Sequence, residues 1–229
     1  MAADLTANAL LWERRTPPSR GPKPTLRLDT ITEAGIGLAD AGGLAAVTMQ
    51  RVAEQVGVTK MALYRYVPGK VELVALMTDQ ALGAPPPLPS GGWRDRLDTW
   101  ARHMYTRFSA HPWTLEATVG PRAIGPNELD WMEQATAALT GTGLPGPQML
   151  DVAATLTGHV RMVAQQGAAA PTGAVERELA ATISTLLADR ADRYPALTKA
   201  LAVSGGQDQA LDFGLRCILD GVASRITSG

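Results

Sequence analysis

The segment from Thr48 to Lys70 concentrates positive charge and hydroxyl groups within a short stretch. Its charged residues are four bases and one acid, namely Arg51, Lys60, Arg65, Lys70 and Glu54. Basic side chains, hydroxyls and the amides at helix N-termini are the groups that bind the phosphates of nucleic acids. The whole chain carries a formal net charge of −1, so any affinity for nucleic acid has to come from a local patch of this kind.

Catalysis is the competing interpretation, and the residues for it are sparse. The histidines are His103, His111 and His159, and they form no His-x-x-x-His pair on one helix. Cys217 is the only cysteine, which excludes an intrachain disulfide and a multi-cysteine zinc site. The chain has no Gly-x-Ser-x-Gly motif and no phosphate-binding glycine loop. We therefore predict no catalytic residues, no metal site and no cofactor, and keep an enzyme as the alternative from a different class.

Composition indicates an ordinary folded protein. Hydrophobic residues make up 45% of the chain and charged residues 19%, which suits a packed core and carries no signature of disorder. The N-terminus lacks an apolar run with a cleavage site, and no stretch approaches the roughly 18 apolar residues of a membrane span. We expect a cytoplasmic protein without a membrane partner.

Helical periodicity predicts the elements that position the basic segment. A first helix begins at Leu28 and breaks at a glycine pair. Thr48 and Thr59 are predicted N-caps of a second and a third helix, which a turn at Gly57 joins. Such a pair can set its second helix in the major groove of DNA while the first crosses the backbone. The pattern is typical of a helix-turn-helix that reads DNA.

The remaining chain divides at prolines and glycines into four regions. We predict a basic, flexible N-terminal arm over residues 1–27, a helix-turn-helix domain over 28–83, a Pro/Gly-rich linker over 84–92, and a larger domain over 93–229. Every convincing pattern beyond the linker is helical, so we predict an all-α fold with a three-helix N-terminal domain and a larger C-terminal helical domain. The arm is either a solvated leader or a segment that touches DNA.

The segment VTMQRVAEQVGVTKMALYRYVPGK, residues 47–70, resembles the DNA-binding segment of the tetracycline-repressor-like (TetR) family of bacterial regulators. The resemblance is close from Leu28 to Leu82 and looser afterwards. His111-Pro112-Trp113 and the sequence DFGLRCILDGVASRI, residues 212–226, look like the ligand-binding domain of the branch that contains the tetracycline repressor itself. This resemblance implies a homodimer, a palindromic operator in double-stranded DNA, and a repressor that a small-molecule effector releases.

The resemblance also implies roles for single residues. The positions that match phosphate contacts are Thr48, Thr59, Tyr66 and Lys70. The positions that face base edges are Lys60, Met61, Ala62 and Tyr64. Met49 stands where some relatives carry a base-reading arginine, so that contact is either absent or made by Arg51.

The C-terminal domain is the predicted place for the effector and the dimer contact. An effector pocket needs apolar side chains with a few polar groups, and the candidates are Trp100, His103, Met104, Arg107, Trp113, Trp131, Thr155, His159 and Met162. The predicted dimer contact combines the helix after Pro147 with small and apolar residues of the last helix, namely Leu211, Gly214, Leu215, Ile218, Gly221 and Val222. An intrachain core is the alternative for those residues. A DNA-binding protein with an empty C-terminal pocket is the alternative for the whole chain.

Overall fold

The computed structural model describes residues 2–13, 26–168, 174–202 and 210–227. No residue in these ranges belongs to a β-strand, so the predicted all-α fold class is confirmed. The helices of the described ranges are α1 Ala2–Trp12, α2 Leu28–Ala46, α3 Met49–Gln55, α4 Lys60–Leu63, α5 Lys70–Leu82, α6 Trp93–Ala110, α7 Thr114–Ala117, α8 Pro126–Ala138, α9 Gly146–Ala168, α10 Ala174–Leu187, α11 Pro195–Leu201 and α12 Ala210–Thr227.

Helices α2, α3 and α4 pack with α5 around one core, which we call the N-terminal domain. Helix α2 is interrupted near its end at Gly43, whose φ of 69° lies in the left-handed region that favours glycine. Thr48 and Thr59 cap α3 and α4, because the side-chain oxygen of each accepts a hydrogen bond at 3.2 Å from the backbone N–H three residues on. The predicted N-caps are therefore confirmed.

The third helix is shorter than the sequence pattern predicts. The helical spacing of Leu63 and Val67 predicts a helix that ends at Pro68, but regular α4 ends at Leu63 and the chain continues in turns to Tyr66. A proline disfavours helical conformation in the residue before it, which leaves too few residues for a further helical turn. Leu63 and Val67 are both 0% exposed and fix this segment on the domain core.

Helices α6, α8, α9 and α12 enclose a second core, which we call the C-terminal domain. Its largest fully buried side chains are Trp100, Trp131, Leu97, Leu139, Leu156 and Leu215. The two tryptophan rings meet edge to face at 6.0 Å between centroids. The indole Nε1 of Trp100 donates to the backbone oxygen of Trp131 at 3.0 Å, so its polar atom is satisfied inside the core.

Helix α5 connects the two domains and is packed along its whole length. Leu73 and Met77 are fully buried in the N-terminal core, whereas Leu82 belongs to the C-terminal core. The predicted linker that follows α5 is also held in place. Trp131 Nε1 donates to the backbone oxygen of Gly83 at 2.8 Å, and Gln134 Nε2 donates to that of Pro86 at 2.9 Å. The segment is therefore a fixed connector between packed parts.

The first half of the predicted N-terminal arm differs from our expectation. Residues Ala2–Trp12 form helix α1, which packs against α5 with Ala7 buried at 1% exposure. The indole Nε1 of Trp12 donates to the backbone oxygen of Ile124 at 2.9 Å. The prediction of a flexible arm is wrong for this half because the helix-breaking prolines begin only at Pro17 and the apolar residues before them find a core. The arm's basic residues at 14–23 lie outside the described residues.

Candidate nucleic-acid interface

Helix α4 presents its outer side chains to solvent while its inner face is buried. Met61 is 75% exposed and Tyr64 37% exposed, although Leu63 between them is 0% exposed. The ammonium of Lys60 lies 5.8 Å from the ring centroid of Tyr64 on the same face. A cationic donor, an aromatic ring and an apolar side chain therefore share one exposed face that could meet base edges in a groove.

The smaller predicted contacts of this face have different degrees of exposure. Thr48 and Thr59 are exposed at the N-termini of α3 and α4. Their side-chain oxygens already accept the capping hydrogen bonds, which leaves each hydroxyl proton free to donate to a phosphate. Ala62 and Tyr66 are half-buried, and Tyr66 packs against the N-terminal core.

Arg51 and Lys70 close the end of α2 as well as adding charge to the surface. Arg51 Nη1 donates to the backbone oxygen of Ala46 and Lys70 Nζ donates to that of Leu44, both at 2.9 Å. Basic side chains commonly bond the last carbonyls of a helix in this way. The two cations are thereby held at the junction of α2 and α3, close to the helix that precedes α4.

The position that carries a base-reading arginine in some relatives is internal here. Met49 is 7% exposed and belongs to the core of the N-terminal domain. The side chain of Met49 therefore does not face a possible DNA surface, and Arg51 is the cation nearest to it along the chain.

Only part of the predicted effector set comes together in the C-terminal core. Trp100, Met104 and Trp131 share its buried cluster. His103 lies on the same helix as Trp100, and its buried Nδ1 has no hydrogen-bond partner among the described residues. The guanidinium of Arg107 approaches the start of the connector at Gly83. These residues surround the junction of α6, α8 and the connector.

The other four members of the set lie outside this group. Trp113 is 5% exposed and packs in the core of the N-terminal domain, because the chain crosses to that domain between α6 and α7. Thr155 and Met162 are exposed on α9. His159 packs on α12, where a Cβ at Gly214 would come within 2.1 Å of its ring, and its Nε2 lies 3.2 Å from the oxygen of Leu211.

A polar cluster at the base of α5 was missed by sequence reasoning. Asp79 is 8% exposed, and its carboxylate accepts hydrogen bonds from Asn127 Nδ2 at 2.9 Å and from the backbone N–H of Glu128 at 3.2 Å. Burial raises the pKa of this carboxyl, against the lowering effect of those hydrogen bonds. The signal that could have found it was an acid within an apolar helix, together with an asparagine at the start of another helix.

Metal ligands and membrane-spanning helices are the two remaining features of the described residues. No group of three or more histidine, cysteine, aspartate or glutamate side chains in these ranges is placed to hold a metal ion. Among the same residues, no helix combines the length and the apolar character needed to cross a bilayer.

Comparisons with known protein families cover most of the chain. Residues 31–77 match the family described as "Bacterial regulatory proteins, tetR family". Residues 85–226 match the one described as "Tetracyclin repressor-like, C-terminal domain".

Individual proteins match over nearly the full length. The HTH-type transcriptional repressor DrrR1 of Streptomyces coeruleorubidus is 37% identical over 226 residues, which cover 93% of this chain and 83% of that protein. Apo ActR from Streptomyces coelicolor has a similar fold, with a TM-score of 0.76 at 24% identity over 90% of this chain and 99% of that one. The complex of ActR with actinorhodin gives a TM-score of 0.75 with the same identity and coverage.

Proposed function

The chain belongs to the TetR family of bacterial regulators, and we propose that it is a repressor that binds a palindromic operator as a homodimer and leaves it when a small molecule binds the C-terminal domain. It is a DNA-binding transcriptional regulator, and this activity needs no catalytic residue. We further propose that it acts in the bacterial cytoplasm, where the chromosome lies, and requires neither a metal nor a cofactor.

The exposed face of α4 is the observation that carries the proposal. Lys60, Met61 and Tyr64 project from a helix whose opposite face is fixed on the core by Leu63. The major groove is about 12 Å wide and admits one helix. In this arrangement Lys60 donates to guanine acceptors and the apolar side chains contact thymine methyl groups. The exposed cations Arg51, Arg65 and Lys70 supply the phosphate contacts.

The homodimer is proposed on the outward faces of α9 and α12. Phe213 is 63% exposed and Met162 49% exposed, and Cys217 and Gly221 also face solvent on α12. This differs from the contact expected from sequence. Leu215 and Val222 are buried within the chain itself, Leu211 and Ile218 pack against the same core, and Gly214 is covered by His159. Of the predicted residues, only Gly221 remains exposed for a partner.

A small, largely apolar effector is proposed for the junction of α6 and α8. Trp100, Met104 and Trp131 supply apolar side chains there, and the Nδ1 of His103, which has no partner in the described part of the chain, supplies one polar contact. The relative DrrR1 is named a repressor, and ActR has been crystallised with actinorhodin. These relatives support an effector-released repressor for this chain, with an effector of its own.

The proposal is tested by capture of genomic DNA on the purified protein, followed by sequencing of the bound fragments. We expect fragments that share an inverted repeat and whose affinity falls steeply as salt rises, because phosphate contacts release counterions. Compounds that raise the melting temperature of the protein are then titrated into the operator complex, and at least one should release the DNA. Salt-insensitive capture without a shared motif contradicts DNA reading. Stabilising compounds that leave operator affinity unchanged contradict the effector.

A metal requirement is tested in the same assay. Chelation with EDTA should leave operator binding and the melting temperature unchanged, because the proposed contacts are made by side chains and backbone amides alone. Loss of binding that added zinc or magnesium restores would contradict the proposal of a metal-free protein.

A further inference from the structure

Asp40 joins the two domains through a contact that does not involve helix α5. It lies on α2 in the N-terminal domain, and its Oδ1 accepts two hydrogen bonds from residues that follow α6. His111 Nδ1 lies at 2.8 Å and Trp113 Nε1 at 2.7 Å from this one oxygen. One carboxylate oxygen of the N-terminal domain thus bonds to two side chains of the segment that follows α6.

The held segment is itself inserted into the N-terminal core. Trp113 is 5% exposed and packs among residues of that core, with its ring 6.2 Å from the ring of His111. Thr114 begins α7 immediately afterwards and is 1% exposed. The contact therefore combines a buried aromatic side chain with hydrogen bonds to a charged acceptor, which are stronger than neutral ones.

The same segment is tied to the C-terminal domain from its other side. Arg161 of α9 donates to the backbone oxygen of Leu115 at 2.6 Å and to the hydroxyl of Thr118, at the two ends of α7. Its guanidinium also lies 5.5 Å from the ring centroid of Phe108 in α6. Helix α7 is thereby bonded to α9 on one side and, through Trp113, to α2 on the other.

We propose that Asp40 is a positioning residue that fixes the angle of the N-terminal domain on the C-terminal domain and so sets the half-site spacing that the protein accepts. A domain held by α5 alone could turn about that helix. A second attachment on α2 resists the turn, because turning must break the bonds on one side of this segment, either those to Asp40 or those to Arg161. The inference rests on the proposed dimer and palindrome, since only a two-fold protein reads a spacing.

The first experiment measures spacing preference. Duplexes carry the captured inverted repeat with its natural spacing or with one base pair added or removed, and affinity is measured for the full-length wild type and for Asp40→Ala. The wild type should prefer the natural spacing, and Asp40→Ala should reduce that preference about tenfold, as expected for the loss of two hydrogen bonds to a charged acceptor. Asp40→Asn, which keeps an acceptor, should restore most of it.

Two further variants separate positioning from simple destabilisation. Glu33→Ala removes the same charge from an exposed position of α2 and should keep the wild-type preference. Trp113→Phe keeps a smaller aromatic ring in the core without the N–H donor and should reduce the preference less than Asp40→Ala. If Asp40→Ala weakens every spacing by one factor and leaves the preference unchanged, the residue is merely structural and the proposal is overturned.

Hydrogen exchange of the DNA-free protein provides a readout that does not depend on operator binding. Asp40→Ala should raise exchange about tenfold in residues 111–118 and in the end of α2, and Glu33→Ala should not. Unchanged exchange in 111–118 overturns the attachment itself. Failure of the proposed function appears differently, because the wild type would then bind no inverted repeat while the exchange difference between the two variants remained.

Discussion

Asp79 on the connector helix bonds to Asn127 in the first turn of α8, with 2.9 Å between the carboxylate Oδ2 and the amide Nδ2. Asn127 Nδ2 also lies 3.1 Å from the backbone oxygen of Asp79, and the N–H of Glu128 donates to Oδ1. The acid therefore caps α8 from another helix, where negative charge meets the positive end of the helix dipole. This cap joins the C-terminal part of α5 to the C-terminal domain.

The first prediction concerns the pH dependence of stability through Asp79. Burial raises its pKa in the folded protein above the unfolded value of about 3.9. The folded state then holds a proton that the unfolded chain has released, so this carboxyl loses stabilising free energy as pH rises from the unfolded to the folded pKa. Wild type should therefore lose stability relative to Asp79→Asn over the pH range that rises from about 4. Urea unfolding of both proteins across that range measures the difference.

The opposite trend has a defined meaning. If wild type gains stability relative to Asp79→Asn as pH rises, the hydrogen bonds from Asn127 and Glu128 outweigh burial. The pKa of Asp79 would then lie below its unfolded value. Asp29→Asn, at an exposed position of α2, is the control for charge removal.

The second prediction concerns the glycine that lets α5 and α8 approach. A Cβ at Gly125 would lie 2.2 Å from Asp79 Oδ1, so Gly125→Ala must displace the carboxylate from its cap. We expect a loss of about 2–3 kcal/mol in unfolding free energy, the usual cost of a buried charge-assisted bond left unmade.

At Gly37, inside α2, a Cβ would have no neighbour within 4 Å in the part of the chain that the structure describes. Gly37→Ala should therefore gain about 0.5–1 kcal/mol from helix propensity. If Gly125→Ala and Gly37→Ala change the unfolding free energy equally in urea, the close approach of α5 and α8 at Gly125 does not contribute to stability.

The local elements were predictable because their signals lie within a few residues of each other. Thr48 and Thr59 cap the helices that they precede, as expected, and α5 ends at Leu82, where the glycine and prolines of the predicted linker begin. These are effects of capping and helix breaking, which adjacent residues decide. The exposed face of α4 follows in the same way from Leu63 as its inner position.

The long-range contacts were not predictable, because each depends on where distant helices meet. Trp113 was expected to contact an effector and instead pairs with Asp40, 73 residues earlier in the chain. His159 was also expected to contact an effector, and it packs on Gly214 instead. Helix α1 forms where the composition indicated an arm, since its stability comes from packing on α5. No spacing rule within one segment encodes such pairs.

The third prediction separates phosphate contacts from base contacts. Lys70→Ala should weaken all DNA sequences by about the same factor and reduce the slope of log affinity against log salt by about 1, because it removes one phosphate contact. Lys60→Ala should change the preference at particular base pairs by about 1–3 kcal/mol. Lys199→Ala, in the C-terminal part of the chain, should leave both properties unchanged. Binding titrations over a set of mutated operators measure these effects, and identical profiles for Lys60→Ala and Lys70→Ala would contradict the assigned roles.

The last prediction tests the proposed dimer face. A Cβ at Gly221 would meet no atom of the described residues within 4 Å, so Gly221→Arg should fold normally while it places a bulky charge on the outward face of α12. We expect analytical ultracentrifugation to show a monomer, whose melting temperature does not depend on protein concentration. Its affinity for the full operator should fall to the affinity for a half-site. Thr227→Arg adds the same side chain at the exposed end of α12 and should remain dimeric. Alkylation of the exposed Cys217 gives a second readout, because its thiol should be protected in the wild-type dimer and reactive in Gly221→Arg. A Gly221→Arg protein that stays dimeric with a protected thiol would place the interface on another surface.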